Sequence, residues 1–326
     1  MTSRTDDALE AAAAVLGDRA RRDVALGPFT TYRVGGPAAL FLADADQDDL
    51  HLLRAAVAVS GLPVLVVGRG SNLLVADAGF AGIAVTLGDR FADIQPDDEP
   101  PAPGGGSSER RSVRAGGAVS LPVLARRTAA LGLRGFEWAV GVPGSVGGAV
   151  RMNAGGHGSD MRTTLTRAWV FDLAGGAEEP VVERVAVDLD LRYRHSAIRP
   201  AQVVVAAEVA LTPGDRIAAE EEIAGIVRWR RRHQPGGANA GSVFANPDGD
   251  SAGRLIDVAG LRGYRRGSAS ISAKHANFVQ VDEGGSATDV RALVDEIRAV
   301  VLDRLGVELA LENHLIGFAT TPSSGG

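Results

Sequence analysis

The chain has 326 residues, and 45% of them are hydrophobic, so it is long enough and apolar enough to bury sizeable cores. Its formal net charge of -6 and dispersed Lys and Arg residues lack the basic footprint of a nucleic-acid-binding protein. The absence of cysteine excludes disulfides, iron–sulfur clusters, thiolate metal sites and a cysteinyl flavin link, so any redox chemistry needs a bound organic cofactor.

The first part of the chain has the pattern of a small α/β unit. An acidic, helical N-terminus without a basic n-region, and the lack of an 18-residue apolar run, predict a cytoplasmic protein with no membrane segment. Strands are then predicted over 38–45, 62–68 and 82–88, with an acid-led helix over 46–61 between the first two. These elements make up a first predicted domain, residues 1–88.

The remainder of the chain is predicted to be α+β. Residues 95–112 are rich in Pro, Gly, Ser and charge and predict a flexible loop without chemistry. A helix over 121–133 and strands near 167–173, 181–188 and 202–211 follow, and helices are predicted over 217–234 and 287–306. A composition shift at 211–216 places a boundary near residue 213, which gives a second domain over 89–213 and a third over 214–326.

Two glycine clusters are candidate nucleotide-binding segments. The first, "VLVVGRGSNLLVAD" (64–77), follows a strand but matches neither the Rossmann nor the P-loop pattern, and a plain turn is the competing interpretation. The second, "GVPGSVGGAVRMNAGGHG" (141–158), contains seven glycines. Ordering a glycine on folding has a high entropic cost, which favours a role in which the backbone approaches a ligand closely. Together the clusters indicate one large dinucleotide held between two subdomains.

Three side chains are candidates for catalysis. Arg194 in "LRYRHS" is either a surface residue or a clamp for a substrate carboxylate. Ser242 in "NAGSVFANP" lacks a GxSxG elbow, which leaves a turn residue or a proton donor. Glu312 in "LALENHLIGF" is placed in an apolar terminal strand, with Glu308 as the competing carboxylate.

Two further patterns carry less information. The six histidines have no metal-ligand spacing, so no metal site is predicted. The stretch "RWRRRHQ" (228–234) is either a solvated helix face or a contact for a nucleotide-sugar phosphate.

Six motifs in order resemble the UDP-N-acetylenolpyruvoylglucosamine reductase (MurB) family over nearly the whole chain. They are "TTYRVGGPA", "GRGSNLLVAD", "GVPGSVGGAVRMNAGGHG", "YRHS", "AGSVFANP" and "GDSAGRLIDVAGLRGYRRGSASISAKHANFVQV". The resemblance implies a two-part FAD-binding region of the vanillyl-alcohol-oxidase (PCMH-like) type, followed by an α+β C-terminal substrate domain. It also implies non-covalent FAD, NADPH as co-substrate, a UDP-sugar substrate in peptidoglycan precursor synthesis, and a monomer.

The resemblance also implies site residues. Catalysis would fall to Arg194, Ser242 and Glu312, with Ser242 giving a proton to carbon. FAD would contact Val34, Gly35, Gly68, Arg69, Gly70, Ser71, Asn72, Pro143, Gly144, Ser145, Gly147 and Gly148. The substrate would contact Tyr193, Arg194, Asn246, Lys274, His275 and Asn277.

The sequence departs from the family pattern at several points. Asn313 and His314 follow Glu312 where the family usually has valine, and His157 stands where tyrosine is common. The short interval between Leu211 and Gly253 indicates the shorter subtype, without the inserted tyrosine-bearing loop. A different FAD-dependent oxidoreductase on this scaffold, or an inactive nucleotide-sugar-binding paralogue, are the alternative functions.

Overall fold

The computed structural model describes residues 2–97, 110–175 and 179–319, and its contacts divide the chain into two compact units. The first unit comprises residues 1–21, 40–69 and 83–232, and the second comprises 22–39, 70–82 and 233–326. Each unit is therefore assembled from segments that are far apart in the sequence. The three-domain division drawn from composition stays a prediction.

Helices and strands alternate along the described residues. The helices α1 to α7 are Thr2–Leu16, Gln47–Ser60, Leu121–Ala130, Val146–Met152, Arg216–His233, Ala252–Val258 and Ala287–Leu305. The strands β1 to β8 are Ala20–Ala25, Pro37–Ala45, Val64–Val66, Leu73–Val75, Phe80–Leu87, Ile94–Pro96, Arg111–Gly116 and Leu133–Arg134. The strands β9 to β17 are Gly155–Gly156, Ser159–Asp160, Leu165–Asp172, Val181–Val185, Gln202–Pro213, Arg265–Arg266, Ala269–Ile271, Val279–Val281 and His314–Ile316.

An antiparallel sheet organises the larger core of the first unit. Its strand order is β12-β11-β13-β7-β6, and β8 pairs with the end of β13. The apolar faces of α3, α4 and α5 pack into the core of this sheet, where Leu124, Val150 and Ile223 are buried. The long strand β13 therefore lies at the centre of the unit.

A second core of the first unit forms around α1 and α2. Their buried residues pack with those of β2 and β5, and β3 pairs with β5 in parallel. Helix α2 begins with a capping box in which Asp46 and Asp49 accept each other's backbone N–H at 3.0 Å. It ends at Gly61, whose φ of 66° is the left-handed conformation of a helix C-cap.

The second unit has a core of its own. Helices α6 and α7 pack on the sheet β14-β15-β16, and β4 pairs with β17 in parallel, with Leu73 opposite His314. Asp77 fixes the start of α7, because its carboxylate accepts the backbone N–H groups of Ala287 and Thr288, each at 2.9 Å. The segment 70–82 is therefore an integral part of this unit.

Most long elements match their sequence predictions, and the mismatches are short. The predicted strands over 38–45 and 82–88 and the helices over 46–61, 217–234 and 287–306 are confirmed by β2, β5, α2, α5 and α7. Strands β1 and β4 and helices α4 and α6 were not predicted. They contain only three to seven residues each, which is too short to show a clear periodicity.

The predicted flexible loop over 95–112 is wrong at both ends. Residues 94–96 and 111–116 form β6 and β7, which pair with each other in antiparallel fashion. The backbone hydrogen bonds of the sheet outweigh the polar composition of the loop ends. The central part of the predicted loop, 98–109, lies outside the described residues.

Candidate active site

A cleft in the first unit contains the glycine clusters found in the sequence. The empty space between its walls is about 670 Å³, part of which is open to solvent. Its walls come from β3, β5, β13 and the start of α4, and its lining residues are Val66, Val67, Gly68, Arg69, Thr86, Leu87, Gly117, Ala118, Ser145, Gly147, Gly148, Arg151, Ile198, Gln202 and Val204. Both candidate nucleotide-binding segments therefore contribute to one cavity.

The missing side chains of three glycines bring the walls of this cleft together. A Cβ at Gly117 would lie 2.1 Å from the carbonyl oxygen of Val204, and one at Gly147 would lie 2.9 Å from the same atom. The Gly147 N–H donates to the Gly117 carbonyl at 2.9 Å. A Cβ at Gly68 would lie 2.5 Å from Ser145 Oγ. Gly117 and Gly147 are needed because backbone meets backbone, whereas Gly68 leaves room for the Ser145 side chain.

The segment before α4 presents the remaining residues of the second cluster. Ser145 is the helix N-cap, and its Oγ accepts the Gly148 N–H at 3.3 Å. The Gly144 carbonyl accepts the Leu121 N–H at 2.9 Å. Pro143 and Gly148 are exposed, and a Cβ at Gly148 would meet nothing closer than Ser145 Oγ at 3.4 Å. The backbone at Gly148 is therefore open to a ligand.

The residues of the cleft fit FAD. Valine and leucine side chains supply apolar wall, whereas Arg69 and Arg151 bring positive charge that suits a diphosphate. Arg151 was not predicted as a site residue from the sequence. It could have been, because it lies one helical turn after Gly147 and therefore on the same face of α4. It donates to the Ile198 carbonyl at 2.9 Å, and burial lowers the pKa of its guanidinium, which remains cationic.

The predicted diphosphate loop is divided between the two units. Gly68 and Arg69 belong to the first unit, whereas Gly70, Ser71 and Asn72 belong to the second. There the φ of Gly70 is 59°, and a Cβ would lie 2.1 Å from the Phe29 carbonyl oxygen. Gly70 is therefore required by packing against the 27–31 turn.

The other predicted flavin contacts of the second unit, Val34 and Gly35, lie just before β2. Val34 is buried. Gly35 has a φ of 129°, and a Cβ there would lie 2.8 Å from that of Val75. This stretch therefore packs tightly against β4.

Arg194 lies in a tight turn of the first unit and not at a strand end. Arg192 and His195 exchange two backbone hydrogen bonds of 3.1 and 3.0 Å around it, and its φ is 53°. A left-handed arginine is unfavourable, and such strain persists where the surrounding structure imposes it. Ser196 supplies an anchor, because its Oγ donates to the Arg151 carbonyl at 2.6 Å. The guanidinium carbon lies 5.0 Å from the ring centre of the exposed Tyr193.

Ser242 and Glu312 lie on neighbouring backbone segments of the second unit. Glu312 N–H donates to the Val243 carbonyl at 2.8 Å, and Phe244 and Leu311 form a β-bridge. On its other side Ser242 forms a bridge with Phe278. Both Ser242 and Glu312 are partly buried. The structure therefore brings two of the three predicted catalytic residues together, and the placement of Arg194 with them stays a prediction.

The prediction that Glu312 lies in the terminal strand is wrong. Strand β17 begins at His314, and Glu312 lies between that strand and the bridge at Leu311. The chain bends there because the side chain of Asn313 is buried and hydrogen-bonded. This interrupts the alternation of side chains between the two faces of a strand. The competing Glu308 has a side chain that is 75% exposed, and it forms a 3.2 Å ion pair with Arg298.

The predicted substrate-binding residues of the second unit differ in what they offer. The amide of Asn277 is buried, with Oδ1 accepting Phe244 N–H at 3.0 Å and Nδ2 donating to the Phe244 carbonyl at 2.8 Å. Asn246 Oδ1 accepts the Ala252 N–H at 3.1 Å. Asn277 is thus committed to holding the backbone of Phe244, two residues after Ser242.

Lys274 and His275 precede Asn277 in the chain and differ in exposure. Lys274 is exposed. His275 is partly buried, and its Nδ1 accepts the Asn277 N–H at 3.2 Å. Burial, followed by the positive charge of Arg262, lowers the pKa of His275.

The described residues contain neither a metal-ligand cluster nor a membrane-spanning helix. In residues 2–97, 110–175 and 179–319, no group of three or more His, Asp or Glu side chains is arranged to hold a metal ion. Among the helices of those same ranges, none combines the length and the apolar character that crossing a bilayer requires.

Comparison with known proteins agrees with this geometry. Residues 37–177 match the family described as FAD binding domain, and residues 233–316 match the C-terminal domain of UDP-N-acetylenolpyruvoylglucosamine reductase. The chain is 42% identical over 300 residues to the UDP-N-acetylenolpyruvoylglucosamine reductase of Heliobacterium modesticaldum, covering 91% of this chain and 90% of that protein. It is 41% identical to that of Acidiphilium cryptum over 298 residues, covering 90% of each.

A solved structure extends the likeness to the fold. The crystal structure of UDP-N-acetylenolpyruvylglucosamine reductase from Thermus caldophilus superposes with a TM-score of 0.74 at 32% identity, covering 91% of this chain and 99% of that one. The predicted fold class, a vanillyl-alcohol-oxidase-type FAD-binding region with an α+β C-terminal domain, is confirmed. The chain belongs to the UDP-N-acetylenolpyruvoylglucosamine reductase family.

Proposed function

We propose that the chain reduces UDP-N-acetylenolpyruvoylglucosamine to UDP-N-acetylmuramate, with FAD as bound cofactor and NADPH as the source of hydride. The observation that carries this proposal is the placement of Ser242 beside Glu312 on bridged backbone segments, in a chain 42% identical to a reductase of this name. Bound FAD supplies hydride chemistry that no side chain of the protein can perform. The protein supplies orientation, charge and a proton.

The cleft of the first unit is proposed to hold the cofactor. Arg69 and Arg151 would face its diphosphate, and the open backbone at Gly148 would allow close approach. Gly70, Ser71 and Asn72 are proposed to contact the cofactor as well. Val34, Gly35, Pro143 and Gly144 are the remaining proposed contacts.

Arg194 is proposed to bind the carboxylate of the enolpyruvyl group. Its guanidinium is always protonated and has the planar fork that matches two carboxylate oxygens. Addition of hydride to the terminal vinyl carbon leaves negative charge on the adjacent carbon, delocalised into that carboxylate. Arg194 stabilises this charge, and Glu312, in its protonated form, donates a hydrogen bond to it.

Ser242 is proposed to give its hydroxyl proton to the carbon that carries the charge. A serine hydroxyl is a weak acid in water, but an enolate carbon is basic enough to take its proton when distance and angle are fixed. The rest of the UDP-sugar is proposed to be bound by Tyr193, Asn246, Lys274, His275 and Asn277. We further propose that the chain works in the cytoplasm, where its nucleotide-sugar substrate is dissolved, and that it is a monomer. We also propose that it binds no nucleic acid, because its formal net charge is -6.

The test separates the reaction into two anaerobic halves. The purified protein should be yellow, NADPH should bleach the flavin band, and the enolpyruvyl UDP-sugar should restore it. Bleaching by an aldonolactone or an alcohol, with restoration by oxygen but not by the enolpyruvyl UDP-sugar, would indicate a different FAD-dependent oxidoreductase. A protein without turnover would indicate an inactive paralogue.

The Ser242→Ala variant tests the proton donor. Bleaching by NADPH should keep the wild-type rate, whereas reoxidation by the UDP-sugar should slow by about 10²- to 10⁴-fold, the range for a positioned proton transfer. Ser270→Ala removes another partly buried serine of the second unit and should leave both rates unchanged. Equal slowing of the two halves in Ser242→Ala would refute the role.

A further inference from the structure

A buried amide stands next to Glu312 in the core of the second unit. Asn313 is 7% exposed, and its Nδ2 group donates to Asn72 Oδ1 at 2.9 Å, to the Ala240 carbonyl at 3.2 Å and to the Ser242 carbonyl at 3.3 Å. Its two N–H bonds are therefore shared among three acceptors. One of these acceptors is the backbone of the proposed proton donor.

The acceptor side of the same amide is also satisfied. Tyr32 OH donates to Asn313 Oδ1 at 3.3 Å, and the Tyr32 side chain is fully buried. Burial raises the pKa of Tyr32 well above its ordinary value, so the phenol remains a neutral donor over the whole working pH range. A buried polar side chain with both ends paired fixes its neighbours in one arrangement.

Asn72 connects this amide to Glu312. Its Nδ2 donates to the Glu312 carbonyl at 3.1 Å, and its own backbone carbonyl accepts the His314 N–H at 2.9 Å. The Asn72–Asn313 pair therefore holds the backbone of Ser242 on one side and of Glu312 on the other. Together with Tyr32, this pair is called the amide network below.

We propose that Asn313 is a positioning residue that, through the amide network, sets the distance between Ser242 and Glu312 for protonation of the substrate carbon. This inference rests on the proposed function, and it assigns no contact with substrate to Asn313 itself. Catalytic groups must be held within fractions of an ångström by residues whose own rotamers are fixed, and the network meets that requirement.

The test uses the FAD-loaded holoenzyme and the variant Asn313→Leu, which keeps the branched shape of the side chain and removes every hydrogen bond of the amide. Bleaching by NADPH and FAD content should stay within about twofold of wild type. Reoxidation by the enolpyruvyl UDP-sugar should slow by about 10- to 100-fold, because a displacement of about 1 Å has an effect of that order. The affinity for the UDP-sugar, from flavin absorbance, should change by less than about threefold.

The conservative variant Asn313→Asp adds a pH readout. A protonated carboxyl can donate one hydrogen bond to the three acceptors, whereas an ionised one donates none. The reoxidation rate relative to wild type should therefore recover as the pH is lowered through the pKa of the introduced carboxyl. In Asn313→Leu this ratio should stay constant with pH.

Val301→Ala is the matched control for stability. Val301 is fully buried in the same core, on α7, and does not take part in the amide network. This variant should lower Tm and leave both half-reactions unchanged below its unfolding range. A similar loss of reoxidation in Val301→Ala would attribute the effect of Asn313→Leu to general destabilisation and overturn the inference.

The remaining outcomes also decide the matter. Wild-type reoxidation in Asn313→Leu, or equal slowing of both half-reactions with loss of FAD, would overturn the positioning role. Failure of the proposed function is distinguishable, because the unmodified protein would then not be reoxidised by the UDP-sugar, and the inference would be overturned with it.

Discussion

The cofactor cleft of the first unit and the Ser242–Glu312 region of the second are shaped by opposite means. In the cleft, Gly117 and Gly147 let backbone approach backbone, so the form of the cavity comes from side chains that are missing. In the second unit, the buried amides of Asn277 and Asn313 and the partly buried amide of Asn72 hold the backbone. At the glycine positions of the cleft, any added side-chain volume is destabilising. At the amide positions of the second unit, any substitution that leaves a buried donor or acceptor unpaired is destabilising.

Arg194→Lys is expected to have the largest effect on activity. A large loss would show that the first unit, whose cleft is shaped by glycines, also depends on one particular side chain. A point charge does not replace the bidentate fork, so kcat/KM for the UDP-sugar should fall by about 10²- to 10³-fold. Steady-state kinetics measure it. Arg199→Lys, at a residue of the same unit that pairs with Asp172, should keep wild-type kinetics. Wild-type turnover in Arg194→Lys would refute the clamp.

Two glycine substitutions in the cleft test whether glycine is needed there because a Cβ would not fit. Gly117→Ala would drive a Cβ to 2.1 Å from the Val204 carbonyl, and the free energy of unfolding should fall by about 3 kcal/mol. Gly148→Ala has room for its Cβ and improves helix propensity, so stability should be kept while FAD affinity falls. Urea unfolding and FAD titration measure the two effects. Equal destabilisation in both variants would show that the glycines act through flexibility and not volume.

Asn277→Ala tests the hydrogen-bonded region in the same way. It leaves the N–H and the carbonyl of Phe244 without a side-chain partner in the interior, and the unfolding free energy should fall by about 2 kcal/mol. Gln280→Ala serves as control, because the Gln280 amide donates to the carbonyl of the exposed Gly236 at 2.9 Å, and its effect should stay below about 0.5 kcal/mol. A difference of less than that amount between the two variants would contradict the view that buried amides hold this region.

His275→Gln should have the smallest effect and concerns acid pH only. Burial, then Arg262, lower the pKa of His275 in the folded state below that of the unfolded chain. The unfolded state therefore binds the proton more readily, and this contribution to stability is present above about pH 6.5 and is lost as the pH falls below it. In His275→Gln, the decline of Tm between pH 6.5 and 5 should be shallower than in wild type. An unchanged slope would exclude His275 as a source of acid sensitivity.

How much could be predicted follows from the same contrast. Glycine clusters and long periodic elements such as α2 and α7 are local patterns, and the sequence was sufficient to predict them, whereas the fold class was implied by the family resemblance. The pairing of Ser242 with Glu312 came from family resemblance. Arg151 and the amide network were missed, because no spacing along the chain indicates that Tyr32, Asn72 and Asn313 meet.

The parallel pairing of β4 with β17 has a consequence for how the protein is made. Asn72 and Asn313, which flank these strands, are 241 residues apart in the sequence. During synthesis, β4 leaves the ribosome long before its partner exists, and closing so distant a pair is slow. We expect nascent chains that stop before residue 314 to contain a folded first unit and a protease-sensitive second one, so that completion of the last strand serves as a checkpoint for a finished molecule.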